Sequence, residues 1–337
     1  MIAKLLPNRV RRTYLGGGRI DAFTGAINCA PPAADAQERV PPMPEDWMAS
    51  TTTAFNGTLE IEGEGLGRLE DGRLVKDVVG TLPILVKLLD SDERLVIQAH
   101  PTVPCAKRLF NSPVGKTECW YFLPGTAPDA CVYLGFKPGM TREKWEKAFD
   151  SQQGLLEMLH RIPVSAGDFV FVDGGMPHAI GGGCFMIELQ EPSDLMVVAE
   201  RVTPSGRRIP DAKMHGGVGW EKMFEVYEYE GLAYEEVCAR YVRRAAGGTR
   251  SCATATDAQA RVPPVTQILG PELTDKFAMW RVAGGGILSL PRDRAVAVVT
   301  EGTGAVNGHS VSKGERLLVA EESRIAVTGD AVLVVCA

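Results

Sequence analysis

The sequence predicts a mainly β protein, a sandwich or barrel of short strands, and three observations carry that expectation. The 337 residues include 37 glycines and 22 prolines, well above the usual ~12% of a chain, which favours many turns over long helices. Short apolar, β-branched runs recur at close spacing from residue 81 onward, each bounded by turn residues. Hydrophobic residues at 45% and charged residues at 23% are ordinary globular usage, so the chain can bury a sizeable core and is not disordered throughout.

Residues 1–80 are irregular. Pro31, Pro32, Pro41, Pro42 and Pro44 punctuate them, which suggests a segment wrapped over a core. Residues 81–89 and 94–99 read as two strands around the polar turn Asp90-Ser91-Asp92-Glu93, and further strands follow at 120–122, 130–136, 168–172, 184–190 and 195–201. One segment breaks the pattern. Thr141 opens Thr-Arg-Glu-Lys, and Trp145, Phe149, Leu155, Leu156 and Leu159 follow at mixed helical spacing, which predicts a helix or helix pair over 141–160. Residues 244–264 are mostly small and polar and read as an exposed linker. A second β-rich unit is expected over 265–337, with strands near 285–290, 295–300, 316–319 and 331–336 and tight turns at Gly302-Thr303-Gly304 and Asn307-Gly308. The expected division is therefore a unit of 1–243, a linker of 244–264 and a unit of 265–337.

With 36 basic against 42 acidic residues the formal charge is −6, and no basic run exceeds a pair such as Arg207-Arg208, so nucleic acid is not an expected partner. No apolar stretch reaches the roughly 18–20 residues of a membrane helix, and Pro7 interrupts the N-terminus before a signal-peptide core could form. A cytoplasmic protein without a membrane partner is the expectation. Eight cysteines are scattered with no C-x-x-C pair, which argues for reduced, mostly buried thiols.

The chemistry concentrates in three places. Gln98 and His100 are two apart on a predicted strand and so point to one face. Glu118 begins another strand after Gly115-Lys116-Thr117, and His178 ends a Gly-rich turn after the strand that starts at Asp168. Two imidazoles, a carboxylate and an amide oxygen form a mixed nitrogen and oxygen set suited to zinc, manganese or iron. Gly115-Lys116-Thr117 mimics the tail of a P-loop, but Phe110 stands where that loop needs its first glycine. His160, His215 and His309 look structural or superficial. Cys119, adjacent to Glu118 on its strand, faces the opposite side.

The run from Gly167 to His178 resembles the second cupin signature, with Asp173 where proline is usual. More narrowly, the order Gln98-Ala99-His100-Pro101, Gly115-Lys116-Thr117-Glu118 with Trp120-Tyr121, Pro177-His178-Ala179, and Glu188-Leu189-Gln190 with Ser193-Asp194 resembles the type I mannose-6-phosphate isomerase family, as does Pro44-Glu45-Asp46-Trp47. The resemblance implies two cupin (jelly-roll) barrels with a short helical insertion. It implies one zinc ion held by Gln98, His100, Glu118 and His178, and a hexose phosphate as the small-molecule partner. The implied reaction interconverts mannose 6-phosphate and fructose 6-phosphate through an enediolate, with Asp194, Lys116 and Glu188 as candidate catalytic groups, Asp194 foremost. Lys116 and Ser193 are the implied substrate contacts. The sequence leaves the oligomeric state open.

Two departures qualify the resemblance. The family arginine four residues after the aspartate is replaced by Val198. Arg201 falls on the other strand face, and Arg207 and Arg208 lie in the next loop. A weakened or sugar-binding relative, or an isomerase of another sugar, is the alternative this suggests. In the second unit Ile325 stands where a metal-binding histidine would fall eleven residues after Gly314, so that unit is expected to be a metal-free structural barrel.

Overall fold

The computed structural model describes residues 1–25, 43–56, 61–245 and 263–337. Pro31, Pro32, Pro41, Pro42 and most of the expected linker, as well as Cys29 and Cys252, lie outside the described residues. Four antiparallel sheets account for the strands among these residues. A five-stranded sheet runs in the order Val197–Val198, Gln98–Ala99, His178–Ile180, Cys131–Phe136, Leu159–Pro163. A seven-stranded sheet runs Val242–Arg243, Phe169–Val172, Glu118–Phe122, Cys184–Gln190, Leu85–Ser91, Glu45–Met48, Arg9–Val10. The six-stranded sheet runs Ile2–Lys4, Arg316–Ala320, Arg294–Glu301, Val332–Cys336, Met279–Ala283, Val265–Leu269. A four-stranded sheet of Ile287–Ser289, Arg324–Gly329, Thr303–Val306 and His309–Ser312 completes the set.

The sheets stack as layers. Trp120, Phe122, Val132, Leu134, Ile162, Val170, Ile180 and Met186 share one core between the five- and seven-stranded sheets. On its other face the seven-stranded sheet sends Val86, Leu88, Cys119, Phe171, Ile187 and Leu189 against Met279, Val296, Val298, Leu318, Val334 and Cys336 of the six-stranded sheet. That sheet in turn packs Val282, Ala297, Val299, Leu317 and Leu333 against Leu288, Val306, Ile325 and Val327 of the fourth. A strand covered on both faces reads as an unbroken apolar run, which is why Leu85–Ser91 and Cys184–Gln190 stand out in the sequence.

The expected pair of closed cupin barrels is not what forms. Among the described residues the first and last strands of each sheet remain unpaired to one another, and no sheet closes. Open sheets leave edges, and several of these are very short strands such as Val197–Val198 and Val242–Arg243, one of the usual ways of blunting an edge.

The helical expectation holds for its first half. Thr141 caps the helix Arg142–Ser151, its hydroxyl accepting from the Lys144 amide, and Trp145, Ala148 and Phe149 bury the apolar face over the outer side of the five-stranded sheet. Gln152, in the left-handed region at φ 55°, ends it. After one 3-10 turn at Leu156–Met158 the chain becomes the strand Leu159–Pro163, which pairs with Cys131–Phe136. His160 therefore lies on a strand, its Nε2 2.8 Å from the Leu232 carbonyl. Pairing overrides the local helical spacing there. Ile2–Lys4 pairs with Arg316–Ala320, so the six-stranded sheet takes strands from both ends of the chain. No helix among the described residues is long and apolar enough to cross a membrane.

Candidate metal centre

Two sheets bring the four expected ligands together. Gln98 and His178 are cross-strand partners in the five-stranded sheet, and His100 continues the Gln98 strand. Glu118 opens its strand in the facing sheet. Gly175 makes the approach of His178 workable: at φ 89° its amide donates to the His100 carbonyl at 2.6 Å, and a Cβ there would lie 2.4 Å from Glu228. His100, Glu118 and His178 are fully buried, with donor atoms all within 4.8 Å of one another. The imidazole rings lie 4.8 Å apart, and the Gln98 amide meets His178 Nε2 at 3.3 Å.

The polar environment suits a divalent metal. His100 Nδ1 lies 2.8 Å from the Leu195 carbonyl and His178 Nδ1 lies 2.9 Å from the Met176 carbonyl. Each carbonyl places the ring proton on Nδ1 and leaves the Nε2 lone pair facing the centre, the orientation a metal ligand needs. Burial lowers both imidazole pKa values, that of His178 to about 3, so both rings are neutral. Burial opposes ionisation of Glu118, yet the Lys116 ammonium beside it holds its carboxyl well below the usual range. Both Glu118 oxygens are buried without a hydrogen-bond partner. Lys116 Nζ comes within 2.8 Å of one of them, an ion pair that lacks hydrogen-bond geometry, and within 2.7 Å of His100 Nε2. A carboxylate orphaned beside two lone pairs is a cation site by its donor chemistry.

Beside this centre lies a cleft whose lining includes Gln98, Lys116, Glu188 and Asp194 but not His100, Glu118 or His178. Glu188 pairs with Lys87 at 2.7 Å; burial pushes its carboxyl up while Lys87 pulls it back. Asp194 accepts two bonds from the Arg12 guanidinium, at 2.8 and 2.9 Å, and one from the Phe55 amide. Burial works against its charge, but Arg12 holds it well below the usual carboxylate range. Ser193 is not among the residues lining the cleft; its hydroxyl donates to the Gly115 carbonyl at 2.6 Å and ties down the Lys116 loop.

The cleft also holds Arg12, Glu45, Lys87 and Lys213, which the sequence reading did not single out. Lys87 left a signal, a charge inside the apolar run 85–89. Arg12 left none, since it lies in an irregular stretch and meets Asp194 across 182 residues. Val198 lines the cleft and packs among Ile209 and Met214. Arg201 is engaged elsewhere, its guanidinium 4.7 Å from the Phe149 ring. Arg207 bonds the Thr13 carbonyl, and Arg208 is exposed.

No family model matches the chain. Over 114 residues it is 40% identical to a Bacillus subtilis protein described as a probable mannose-6-phosphate isomerase, GmuF, and over 112 residues 38% identical to the mannose-6-phosphate isomerase ManA of the same organism. Each match takes in 33% of this chain and 35% of the relative, so the aligned stretch spans about a third of the length of these curated relatives. The fold is similar throughout to the crystal structure of the mannose 6-phosphate isomerase from Bacillus subtilis, with a TM-score of 0.70 at 18% identity over 100% of this chain and 99% of that one. A third of the chain is thus similar in sequence to mannose-6-phosphate isomerases, and the whole of it shares the fold of one.

Proposed function

We propose that this protein is a zinc-dependent aldose–ketose isomerase that interconverts mannose 6-phosphate and fructose 6-phosphate. The observation that carries the reading is the buried His100, Glu118 and His178 cluster, with its carboxylate that lacks hydrogen bonds, beside a cleft lined by its neighbours Gln98 and Lys116 and by further ionisable groups. The names of the matched relatives point to the same substrate. Gln98 completes the ligand set in this reading, its amide able to present oxygen when turned over. A bound zinc ion supplies Lewis acidity toward the oxygens beside the reacting carbons.

The remaining work falls to the chain's own groups. Lys116, beside Glu118, offers an ammonium to substrate oxygens as enediolate charge develops. Of the two carboxylates in the cleft, Asp194 is saturated by Arg12 and the Phe55 amide, which makes it a weak base and a good anchor for that arginine. Glu188 is shifted toward neutrality and has one cationic partner, which suits a group that takes a proton from one carbon and returns it to the next. Ser193 acts by holding the Lys116 loop. A coupled assay tests the function: zinc-loaded protein should form fructose 6-phosphate from mannose 6-phosphate, and His178→Ala should lose both the metal and the activity while remaining folded. Activity in the parent no higher than in His178→Ala would reject the substrate. Hexose-phosphate binding without turnover would instead favour the sugar-binding alternative raised by Val198.

A further inference from the structure

We propose that Gln190 is a positioning residue of the metal centre: its side-chain oxygen and Glu118 together hold a single water molecule, which fixes the rotation of the Glu118 carboxylate. The inference rests on the metal-binding part of the isomerase reading and adds to it a residue outside both the ligand set and the cleft.

The sheet register puts the two side chains together. Gln190 pairs directly with Glu118 across the strands Cys184–Gln190 and Glu118–Phe122, and directly paired residues project from one face with Cβ atoms roughly 4.5–5.5 Å apart. Gln190 is fully buried and does not line the cleft, so whatever meets it is small. Its Nε2 donates to the Glu191 carbonyl at 3.0 Å and to the Ser193 carbonyl at 2.6 Å. Both amide protons are thereby used. Turning the amide over would set its oxygen against two carbonyl oxygens, so the orientation is determined. Oε1 is left buried with no hydrogen-bond partner among the described residues, as are both oxygens of Glu118.

Two adjacent acceptors cannot satisfy each other. Each needs a donor, and a buried acceptor that goes unmet is costly. A water has two protons, one for Gln190 Oε1 and one for a Glu118 oxygen, and a carboxylate that binds a metal keeps lone pairs for such a bond. The Lys116 ammonium, 2.8 Å from Glu118 and 2.7 Å from His100 Nε2, has protons to spare for the oxygen of that water. Three polar partners are the usual complement of a buried water. Outer partners of this kind orient a ligating carboxylate and strengthen its hold on the metal.

A crystal structure of the zinc-loaded protein and zinc titrations of Gln190→Met and Gln190→Glu test this. The crystal structure should show a water within about 2.5–3.0 Å of both Gln190 Oε1 and a Glu118 oxygen. Gln190→Met loses the oxygen and should bind zinc about tenfold more weakly or worse. Gln190→Glu forfeits the same two amide bonds to residues 191 and 193 yet keeps an acceptor, and should bind zinc as tightly as the parent. Density that places no water between these oxygens overturns the inference, as does a folded Gln190→Met variant with the parent's zinc affinity. Equal weakening in both variants also overturns it, because the bonds to residues 191 and 193 would then be the whole role of the side chain. The isomerase reading fails separately. A parent without turnover whose zinc affinity responds to the two variants as stated rejects the isomerase and keeps this inference, whereas full turnover with no water at Gln190 does the reverse. Should neither variant fold, the crystal structure of the parent decides alone.

Discussion

At the scale of single residues, the cleft holds charge at the expense of stability. Lys213 binds its proton less tightly folded, at a pKa of about 8, than at its ordinary value of 10.5. Between those values the unfolded chain holds more protons, so this residue makes stability rise with pH from about 8 to about 10.5, and its full cost is present below pH 8. Lys213→Met should therefore be more stable than the parent at pH 7, by on the order of 3 kcal/mol, and the gain should fade as pH rises. Denaturant melts at pH 7 and pH 10 check both parts: the gain should be largest at pH 7 and shrink toward pH 10. A variant less stable than the parent at pH 7 would show that the ammonium is not an uncompensated charge. Residue identity was legible where chemistry sits in short dense motifs. Gln98 and His100, Lys116 and Glu118, and His178 each lie within a few residues of a glycine, proline or partner ligand that marks them. Lys213 lies in the one-turn helix Asp211–Met214, too short for any periodicity to signal that its side chain turns inward.

At the scale of elements, Val197–Val198 is the informative strand. It is two residues long, sits at the edge of the five-stranded sheet and pairs Val198 directly with Gln98. Sequence spacing alone would place an arginine at 198 on the substrate side, where it would aid turnover. The structure adds what spacing cannot show, that Val198 is 1% exposed among Ile209, Met214 and Val197. Val198→Arg is therefore expected to destabilise the protein by about 3 kcal/mol or more through a charge forced into apolar packing, with no gain in kcat. Thermal melting alongside the isomerase assay decides it; a variant as stable as the parent and faster would mean that the cleft has room for a guanidinium. The same contrast runs through the fold. Strand existence was legible from apolar runs, whereas Leu159–Pro163 was not, because its pairing with Cys131–Phe136 is made across the sheet. Barrel closure could not be read either, since a two-residue alternation describes an open sheet and a closed one equally well.

At the scale of the whole molecule, the layered stack joins the C-terminal sheets to the site although they supply no residue of the metal cluster. Lys276 reaches across and places its ammonium 2.6 Å from both Thr117 Oγ1 and Glu191 Oε2. Glu191 in turn accepts from the Gly115 amide at 3.3 Å and the Thr117 amide at 2.9 Å. Those contacts bracket Lys116 and end one residue before Glu118, so the position of the ammonium at the metal centre depends on a lysine from the other half of the chain. Charge-assisted bonds of this kind contribute about 1.5–3 kcal/mol when well formed, and a side chain that is still partly exposed should give the lower end. Lys276→Met is expected to retain zinc, since the lysine touches none of the four ligands, and to lose roughly threefold to tenfold in kcat as the Lys116 loop loosens. Stability should fall by about 1–2 kcal/mol. Metal content, kcat and a denaturant melt measured on one preparation separate these effects. If kcat is unchanged while stability falls, the C-terminal sheets serve the seven-stranded layer by covering it alone, and the Lys116 loop is held from within its own sheet by Ser193 and Glu191.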